Sequence, residues 1–405
     1  PFSAYGFRGP VARVLGAAGP TSSYASDLIG PKTAITNAKG NSLKLTYDGN
    51  QNLTSIMDEE GRSIAYAYDL ADRITKVTDG DGIETTYTYD SVGNLESVTD
   101  ANQNTTSYTY DLLGRMTSTT NPLSEILEFT YDIEGRLKEE KQQDGTTIQY
   151  DYNQLDQLVA IDYGKEHEKE NVLYAYDSEG RKISMEDVTG TTSYEYDEAG
   201  RIALVRTSDQ KEIHYEYDSY ANLSKLIYPD GKTVTYTYDA LDRLTVLTDR
   251  NKKETHYTYD EAGNLIQIKR PNQTVTKLTY DVLNQVTLVE NQNAKGKVLS
   301  SYTYCYDNSG FITEEEETQY QDKDKINIKS SFTYDLRGQL TKVVKRQDKK
   351  ETDIRYTYDQ AGNRICIEKS EDTISKQWTE NTYNEANRLI SSKDSKNGTT
   401  IYEYD

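Results

Sequence analysis

The sequence is poor in the residues that usually fill a hydrophobic core or carry chemistry. Of its 405 residues, 5 are Phe, 1 is Trp, 3 are His and 2 are Cys, and hydrophobic residues make up 35%, a low share for a globular protein. No stretch comes near the roughly 18 consecutive apolar residues that a membrane-spanning helix requires. Cys305 and Cys366 form neither a Cys-x-x-Cys pair nor a zinc-ligand spacing. We therefore predict no membrane span, no metal site and no cofactor.

The chain is also short of positive charge. Lys and Arg number 46 against 67 Asp and Glu, which gives a formal net charge of −21. Proteins bind phosphate backbones through clustered Lys and Arg, so nucleic acid is not expected as a partner. An anionic membrane surface is disfavoured for the same reason. A charge of this sign and size is typical of a protein that stays soluble through self-repulsion.

Motifs of the common enzyme classes are missing. The sequence contains no His-Glu-x-x-His, no Gly-x-Ser-x-Gly, no P-loop and no dinucleotide-binding glycine pattern. His167, His214 and His256 lie in no motif that assigns them a role. The run 79–82, Asp-Gly-Asp-Gly, lacks the spacing and the terminal Glu of an EF-hand and is interpreted as a hairpin turn. Composition does not exclude a glycosidase-like carboxylate pair, but we predict no enzyme and no catalytic, cofactor-binding or metal-binding residues.

Tyrosine is the residue in excess, with 36 copies, and it marks a repeat. Seventeen tyrosines recur at intervals of 20 to 28 residues, and ten of the sixteen intervals are 21 residues long. Each is followed by Asp, except the two at 152 and 383, which are followed by Asn. A fixed period indicates a stacked repeat architecture, whose function usually lies in a surface or an enclosed space. The tyrosines are Tyr47, Tyr68, Tyr89, Tyr110, Tyr131, Tyr152, Tyr176, Tyr196, Tyr217, Tyr238, Tyr259, Tyr280, Tyr306, Tyr334, Tyr358, Tyr383 and Tyr404.

One unit of this repeat, from Asp90 to Asp111, is predicted to be a β-hairpin with the turn that leads to the next. Residues 90–93, Asp-Ser-Val-Gly, have the Asp and Gly positions of a turn. Residues 95–99 and 105–110 are predicted strands, since the second is rich in Thr and Tyr and alternates. Residues 100–104 form a second turn cluster between them.

The residue three positions after each repeat Asp or Asn supports this turn. It is Gly, Asp or Asn at 14 of 16 positions, the residue types that adopt positive φ most readily. Gln51 and Ala221 are the two exceptions. The pattern gives the repeat aspartates a backbone role and removes the need for a catalytic one.

Strand alternation places both tyrosines of a Tyr-x-Tyr pair, such as Tyr87 and Tyr89, on one face. Leu95 and Val98 on the neighbouring strand are three apart, so either a bulge brings them to one face or both faces carry apolar residues. Seventeen units imply about 34 strands, and open twisted sheets rarely exceed about ten strands without curling. The predicted fold is therefore all-β, an array of about 17 β-hairpin repeats with a 21-residue period, wound as a spiral β-ribbon. The additional residues of the longer units in 284–360 are predicted to lengthen hairpin loops.

The motif Tyr-Asp-x-x-Gly-Arg-Leu followed by a Tyr-x-Tyr-Asp strand resembles the YD repeat, also called the RHS repeat, over roughly residues 41–405. Its members include bacterial polymorphic toxins, wall-associated proteins of Gram-positive bacteria, insecticidal toxin-complex cocoons and animal teneurins. The resemblance implies a ribbon wound into a hollow shell, which in the toxins encloses a C-terminal toxic domain. The aspartate-dependent self-cleavage motif that ends the toxin arrays does not occur before Asp405, so neither that activity nor a toxin is assigned. The best matching segments are 110–116, 131–137 and 259–265.

The repeats suggest two segments. Residues 1–40 do not repeat and hold four of the seven prolines, so they are predicted to be a cap, a plug or a loosely ordered leader. Residues 41–405 are the repeat array. The chain begins at Pro1 and ends in the middle of a unit, and we expect it to be a fragment of a longer protein.

Two functions follow as expectations. In the first, the array is the structural shell wall of a secreted, cell-surface or cell-wall-associated bacterial protein, with its own C-terminal toxin domain as partner. In the second, it is a carbohydrate-binding adhesin or wall-associated module whose tyrosine rows stack on cell-surface glycans. Rings packed under neighbouring strands favour the wall, and rings that line an outward groove favour the adhesin. Arg side chains after the turn are predicted to pair with acidic residues of adjacent units, or alternatively to contact anions or sugars. These are Arg73, Arg115, Arg136, Arg181, Arg201, Arg243 and Arg388.

Overall fold

The structure, a computed structural model, describes residues 23–26, 32–164, 170–321, 324–371 and 375–404. These ranges form 35 strands and contain no α-helix. The strands are β1 (Ser23–Ser26), β2 (Lys32–Thr36), β3 (Ser42–Tyr47), β4 (Leu53–Met57), β5 (Ser63–Tyr68), β6 (Ile74–Asp79), β7 (Glu84–Tyr89), β8 (Leu95–Thr99), β9 (Thr105–Tyr110), β10 (Met116–Thr120), β11 (Ile126–Tyr131), β12 (Leu137–Lys141), β13 (Thr147–Tyr152), β14 (Leu158–Asp162), β15 (Val172–Tyr176), β16 (Lys182–Asp187), β17 (Gly190–Tyr196), β18 (Ile202–Arg206), β19 (Glu212–Tyr217), β20 (Leu223–Ile227), β21 (Thr233–Tyr238), β22 (Leu244–Thr248), β23 (Glu254–Tyr259), β24 (Leu265–Lys269), β25 (Val275–Tyr280), β26 (Val286–Gln292), β27 (Val298–Tyr306), β28 (Ile312–Gln321), β29 (Asp324–Tyr334), β30 (Leu340–Gln347), β31 (Lys350–Tyr358), β32 (Arg364–Glu371), β33 (Ser375–Tyr383), β34 (Leu389–Asp394) and β35 (Gly398–Ile401).

Each strand pairs antiparallel with the next strand in sequence, from β1–β2 to β34–β35, so the sheet is one continuous ribbon. The predicted all-β array of hairpins is confirmed. β1 and β2 precede residue 41, and β2 pairs with β3 across the proposed boundary. The role of residues 1–40 stays a prediction, and 1–22 and 27–31 lie outside the described residues.

Turns alternate between the two edges of the ribbon. Those that follow the odd-numbered strands from β3 onward begin at the Asp or Asn of the repeat, and we call them Tyr-Asp turns on the Tyr-Asp edge. Those that follow the even-numbered strands, such as 58–62 and 100–104, are return turns on the return edge. The two turn types therefore never share an edge, a fact that governs how the ribbon can meet itself.

A β-bulge settles how the strand between two tyrosine strands is oriented. Tyr87 lies opposite Val98 and Tyr89 lies opposite Leu95, and the register shifts between these pairs. Leu95 and Val98 therefore share the tyrosine face, so the bulge is the correct one of the two alternatives. The same shift precedes the last Tyr in all sixteen described Tyr-Asp hairpins.

The Tyr-Asp turn imposes positive φ whatever residue occupies its fourth position. All sixteen positions have positive φ, including Gln51 at 68° and Ala221 at 71°. At Ala221 the amide donates to the carbonyl of Asp218 at 3.1 Å, and the amide of Asp218 donates to Asn222 at 2.9 Å. Residue type alone marked these two as exceptions, whereas the backbone hydrogen bonds of the turn hold the same conformation at both.

Ala221→Gly is expected to stabilise the chain by roughly 0.5–1 kcal/mol, because Gly relieves the strain of a left-handed alanine. Gly200→Ala introduces that strain at the equivalent position, where φ is 78°, and is expected to destabilise by about 1 kcal/mol. Urea unfolding midpoints measure both changes. Shifts of the same sign for the two variants would contradict the expectation.

Longer units lengthen strands, and the prediction of longer loops was wrong. β27 has nine residues, β28 ten, β29 eleven and β31 nine, against five or six in most earlier strands. The acidic run 314–317 lies within β28. Of the Lys/Asp-rich stretch, Asp324 and Lys325 lie in β29, and Asp322 and Lys323 lie outside the described residues. Loop growth and strand growth look alike in sequence, because both add polar residues between two tyrosines.

The ribbon is a single layer with little buried interior. Among the described residues no side chain is less than 2% exposed, and the buried hydrophobic residues are Ala101, Ile148, Leu204 and Val343. β7 alternates between exposed residues and half-buried ones, with the tyrosines on the half-buried side. Stability therefore comes from contacts along the ribbon and at its edges, and less from a core.

Candidate functional site: the wall unit and the lap

A repeated set of contacts, which we call the wall unit, joins each hairpin to the next. In the unit at Asp69, Oδ1 accepts from the amides of Ala71 (2.9 Å) and Arg73 (3.0 Å), and Oδ2 accepts from Arg73 Nε at 2.7 Å. The Arg73 guanidinium lies 4.5 Å from the ring centre of Tyr89. The Tyr89 hydroxyl donates to the carbonyl oxygen of Ile74 at 2.8 Å. One Tyr-Asp turn is thus tied to the tyrosine that ends the next hairpin.

The contacts of the wall unit recur along the ribbon, the Arg contact at seven turns and the tyrosine hydroxyl contact at most of them. Arg over Tyr contacts are also made by the pairs 115/131, 136/152, 181/196, 201/217, 243/259 and 388/404, at 4.4 to 5.8 Å. Each such contact contributes about 0.5–2 kcal/mol. Hydroxyls that donate to a carbonyl of the preceding strand belong to Tyr68, Tyr89, Tyr131, Tyr176, Tyr196, Tyr217, Tyr238, Tyr259, Tyr280, Tyr306, Tyr334, Tyr358, Tyr383 and Tyr404.

Most of the Arg row pairs within its own turn, whereas pairing with adjacent units was predicted, and Arg136 does both. Arg73, and its equivalents at 115, 136, 181, 201 and 243, pair with the Asp of their own turn, four residues earlier. Arg136 also reaches Asp156 of the adjacent unit at 2.7 Å. Burial raises the pKa of Tyr89, and the neighbouring Arg73 acts in the opposite direction. The guanidinium groups lie over tyrosine rings within the wall, so each guanidinium is held against a ring and one face of that ring is covered.

Acid is expected to destabilise the wall. The Arg73 side chain holds the pKa of Asp69 below its usual value, and Arg201 does the same to Asp197. A carboxylate whose pKa is lower in the folded state contributes stability that is present above its unfolded pKa of about 4 and is lost as pH falls through the folded value. We expect a melting temperature that is nearly constant down to about pH 5 and falls below about pH 4.

Thermal unfolding across pH 3 to 7 measures this dependence. The double variant Asp69→Asn and Asp197→Asn keeps the turn-capping oxygen but loses the titrating group, so it should show a shallower acid limb. An acid limb as steep as that of the parent chain would show that these aspartates do not carry it.

The ribbon meets itself edge to edge in a region that we call the lap. Five return turns of the first pass of the ribbon face five Tyr-Asp turns of the second pass, one to one. The return turns are 37–41, 58–62, 79–83, 100–104 and 121–125, and they face in order the Tyr-Asp turns 281–285, 307–311, 335–339, 359–363 and 384–388.

Ion pairs join the two passes at four of these contacts. Lys39 Nζ lies 2.6 Å from Asp281 Oδ2. Arg337 Nε lies 2.7 Å from Asp79 Oδ2. Arg388 Nη2 lies 2.6 Å from Glu125 Oε2. The fourth pair joins Arg62 to Asp307.

Arg62 makes the most buried ion pair of the lap. It pairs with Asp58 of its own turn at 3.3 Å and with Asp307 of the second pass. Its guanidinium lies 4.3 Å from the ring centre of Phe311. The Ser309 hydroxyl donates to Asp58. The side chains of Arg62, Asp58 and Asp307 are only 10 to 15% exposed. Because little water reaches these charges, each is stabilised mainly by its partners of opposite charge.

Small and apolar residues fill the spaces between the ion pairs. Ala101, at the second position of its return turn, is one of the few buried hydrophobic residues. A Cβ added to Gly80 would lie 2.6 Å from the carbonyl oxygen of Leu336. Leu336 is 41% exposed, whereas Leu112 at the equivalent position of a Tyr-Asp turn outside the lap is 106% exposed. The lap therefore combines close packing with charge pairing.

The five turn pairs share one spacing. The turn between β2 and β3 faces the turn between β25 and β26, and each later pair is likewise 23 strands apart. The number must be odd, because a return turn and a Tyr-Asp turn lie on opposite edges. At about 4.8 Å between strands, 23 strands give a contour of roughly 110 Å per pass. The wall thus follows a curved path around a space.

Sequence analysis predicted no catalytic, cofactor-binding or metal-binding residues. The side chains of His214 and His256 are 45% and 47% exposed and lie 3.3 and 3.2 Å from Glu212 and Glu254, and His167 lies outside the described residues. No group of three or more His, Cys, Asp or Glu that could hold a metal was found in the described ranges. Asp79 caps a return turn, as the hairpin interpretation predicts. In the same ranges, no helix is long and apolar enough to cross a membrane.

Sequence reasoning missed the lap. Its residues lie about 250 positions apart, and Lys39, Arg62 and Asp307 carry no motif. A signal was nevertheless present: Tyr-Asp turns of the second pass depart from Gly-Arg-Leu, as at Phe311 and Arg337. A departure from a repeat consensus marks positions where a unit contacts something other than its neighbours.

Two family models match the chain. The model described as the teneurin YD-shell matches residues 165–248 and 232–377, and the model described as the RHS repeat matches residues 47–85, 72–105 and 89–126. No curated protein sequence was found to match the chain.

Solved structures share the fold. The crystal structure of TcdB2-TccC3-TEV has a TM-score of 0.79 at 17% identity, over 93% of this chain and 23% of that one. The Photorhabdus luminescens Tc holotoxin pore has a TM-score of 0.78 at 16% identity, over 92% of this chain and 22% of that one. The chain thus spans less than a quarter of the length of these structures. The spiral ribbon is the fold of a toxin-complex shell, and the chain belongs to the YD-shell family of RHS-repeat proteins.

Proposed function

We propose that this chain is a section of shell wall in a secreted or cell-surface bacterial YD-repeat protein, and that the shell encloses or presents a C-terminal toxin domain. The observation that carries the proposal is the lap. A single-layer ribbon that returns to its own edge after 23 strands, in register over five turns, forms a wall around a space.

The tyrosine geometry favours the wall over a carbohydrate-binding adhesin. Stacking on a sugar requires free ring faces. In the wall unit an Arg guanidinium covers one face of rings such as Tyr89 and Tyr217, and their hydroxyls donate to backbone carbonyls. The rings therefore hold hairpin to hairpin.

Electron microscopy of the full-length protein, compared with this chain alone, tests the proposal. We expect a closed outline with internal density in the full-length protein that is missing from the chain alone. Limited proteolysis supplies a second measurement, since an enclosed domain should resist cleavage until the lap is opened. A solid or flat particle, or a C-terminal domain cleaved at the rate of an exposed one, would overturn the proposal.

A further inference from the structure

The first and fifth residues of a Tyr-Asp turn form a side-chain pair in the wall, which we call the turn pair. All eleven Tyr-Asp turns outside the lap, from 48–52 to 260–264, have one. Six join Asp to Arg, as Asp69 to Arg73. Four join Asp to Asn, as at 90 and 94, and one joins Asn to Gln, at 153 and 157. Each of these turns therefore supplies the side-chain partner of its own Asp or Asn.

Four of the five Tyr-Asp turns in the lap depart from these three combinations, and we call them incomplete turns. Turns 281–285 and 335–339 have Asp first and Gln fifth. Turn 307–311 has Asp first and Phe fifth. Turn 384–388 keeps the Arg but has Asn in the first position. In each of the four, a charged group at the first or fifth position lacks the partner that a wall turn would supply.

The four ion pairs across the lap fall at the four incomplete turns. Asp281 receives its cation from Lys39, and Arg388 receives its carboxylate from Glu125. The fifth lap turn, 359–363, has a complete Asp–Asn pair and meets the first pass through an amide hydrogen bond instead. A charge that lacks its partner within the turn is therefore paired between the passes.

Turn 307–311 shows how the first pass replaces the missing partner. In the wall unit, an Arg pairs with the turn Asp and lies over the tyrosine that ends the next hairpin. Here Phe311 takes that place, with its ring centre 5.0 Å from that of Tyr334. Arg62 lies over Phe311 and pairs with Asp307. The guanidinium of this unit thus comes from a residue 245 positions earlier in the chain.

A slip of the lap by one hairpin would separate these partners. With 25 strands between the passes, Arg62 would face the turn that already carries Arg337. With 21 strands, Asp79, the partner of Arg337, would face the turn of Asp307, which holds no Lys or Arg. Like charges brought together across an interface are unfavourable, and a buried charge without its partner is strongly destabilising.

We propose that the incomplete turns and their first-pass partners determine the register in which the ribbon closes on itself. The set is fully paired at a spacing of 23 strands and at neither 21 nor 25, and specificity is such a difference between the correct and the alternative pairings. The inference concerns the lap alone and is independent of what the wall encloses. The residues that we assign are Lys39, Arg62, Asp79 and Glu125 on the first pass and Asp281, Asp307, Arg337 and Arg388 on the second.

Disulfide formation between engineered cysteines reports the register, after both native cysteines are changed to Ser. Glu60→Cys with Asn308→Cys reports 23 strands, because the amide of Asn308 donates to Glu60 Oε1 at 3.1 Å. Glu60→Cys with Leu336→Cys reports 25 strands, and with Val282→Cys it reports 21, since all three partners are second residues of their turns. A disulfide requires Cα atoms within about 7 Å, less than the roughly 10 Å between neighbouring turns of one edge.

The parent chain is expected to form the 60–308 disulfide and neither of the other two. Gln285→Arg with Phe311→Arg gives two incomplete turns the Asp–Arg pair of the wall. Their carboxylates then have partners within the turn, and Lys39 and Arg62 face added cations. This double variant is expected to lose the 60–308 disulfide under the same oxidation. A yield equal to that of the parent, or a parent that forms all three disulfides equally, would overturn the proposal.

The matched control makes the same change outside the lap. Asn94→Arg with Asn222→Arg adds the same two positive charges and installs the same Asp–Arg pair in two wall turns. Circular dichroism establishes that both double variants keep their β structure, as expected of a residue that six wall turns already carry at this position. The control is expected to form the 60–308 disulfide like the parent. Loss of that disulfide in a folded control would show that added charge, and not the turn pair, opens the lap.

Discussion

Replacing Arg62 by methionine is expected to destabilise the lap by about 3 kcal/mol. Arg62 stands between the carboxylates of Asp58 and Asp307, and all three side chains are at most 15% exposed. Methionine keeps most of the length and apolar character of the side chain but leaves two largely buried carboxylates without their cation, a change that typically costs about 3–5 kcal/mol when the pair is buried. Hydrogen exchange in turns 58–62 and 307–311, together with chemical unfolding, measures the loss.

A double-mutant cycle separates the pair from the packing of the Arg62 stem. Asp307→Asn keeps the oxygen that accepts from the amides of Ser309 (3.0 Å) and Phe311 (2.9 Å), so the turn itself should persist. The double variant Arg62→Met with Asp307→Asn is expected to lose less stability than the two single variants added together. Additive losses would mean that the two side chains do not interact.

The control for this cycle is the exposed pair of Arg250, in the return turn 249–253, with Asp230, in the return turn 228–232. Arg250 also stacks on a tyrosine, Tyr228, at 4.5 Å, but both charged groups are 44 to 45% exposed. Exposed pairs contribute about 0–1 kcal/mol, so Arg250→Met should have a small effect. Equal effects at Arg62 and Arg250 would show that burial in the lap is not what makes the first pair strong.

The second large effect is expected at Gly80. Gly80→Val places a branched side chain where even a Cβ meets the carbonyl oxygen of Leu336 at 2.6 Å and its Cβ at 2.9 Å. The contact is with backbone, which moves only if the second pass moves, so the passes are expected to separate locally. Overpacking of this kind costs about 1–3 kcal/mol. Faster hydrogen exchange in turns 79–83 and 335–339, and a larger radius of gyration in solution scattering, are the expected results.

Gly49 supplies a matched control for that change. It also occupies the second position of a turn, its φ is not positive, and an added Cβ meets nothing within 4 Å. Gly49→Val should therefore leave both measurements unchanged. An unchanged radius and unchanged exchange in Gly80→Val would contradict the close contact between the passes.

Local features of this fold follow from local sequence. Tyr-Asp recurrence predicted the hairpins, and the Asp-to-Gly spacing predicted turns whose geometry is now explicit in the hydrogen bonds of Asp90 to the amides of Val92 and Asn94. The bulge was one of two open alternatives, because Leu95 and Val98 show only that something must break the alternation. The choice between the two alternatives depends on which residues pair across the two strands, and a single sequence does not reveal that register.

The curvature of the ribbon and the contacts of the lap could not be predicted from a single sequence, for a physical reason. Curvature accumulates from small twists over 23 strands, and no single residue encodes the sum. The seven-Arg row illustrates the same limit at shorter range: Arg73 pairs within its turn, whereas Arg388 pairs across the lap with Glu125. Both occupy the same position of the repeat, so that position alone does not distinguish them.

The odd spacing of 23 strands separates two dimensions of the shell, its girth and its height. Tyr-Asp turns of the second pass begin 24 to 28 residues apart, and return turns of the first pass begin 21 apart, yet they match one to one. Residues inserted within strands therefore make the wall taller and leave its partners unchanged. A hairpin inserted between β11 and β25 instead changes the girth and moves all five contacts at once, and a single inserted strand there brings two like edges together. Such a wall can vary in height residue by residue, but in girth only by whole hairpins.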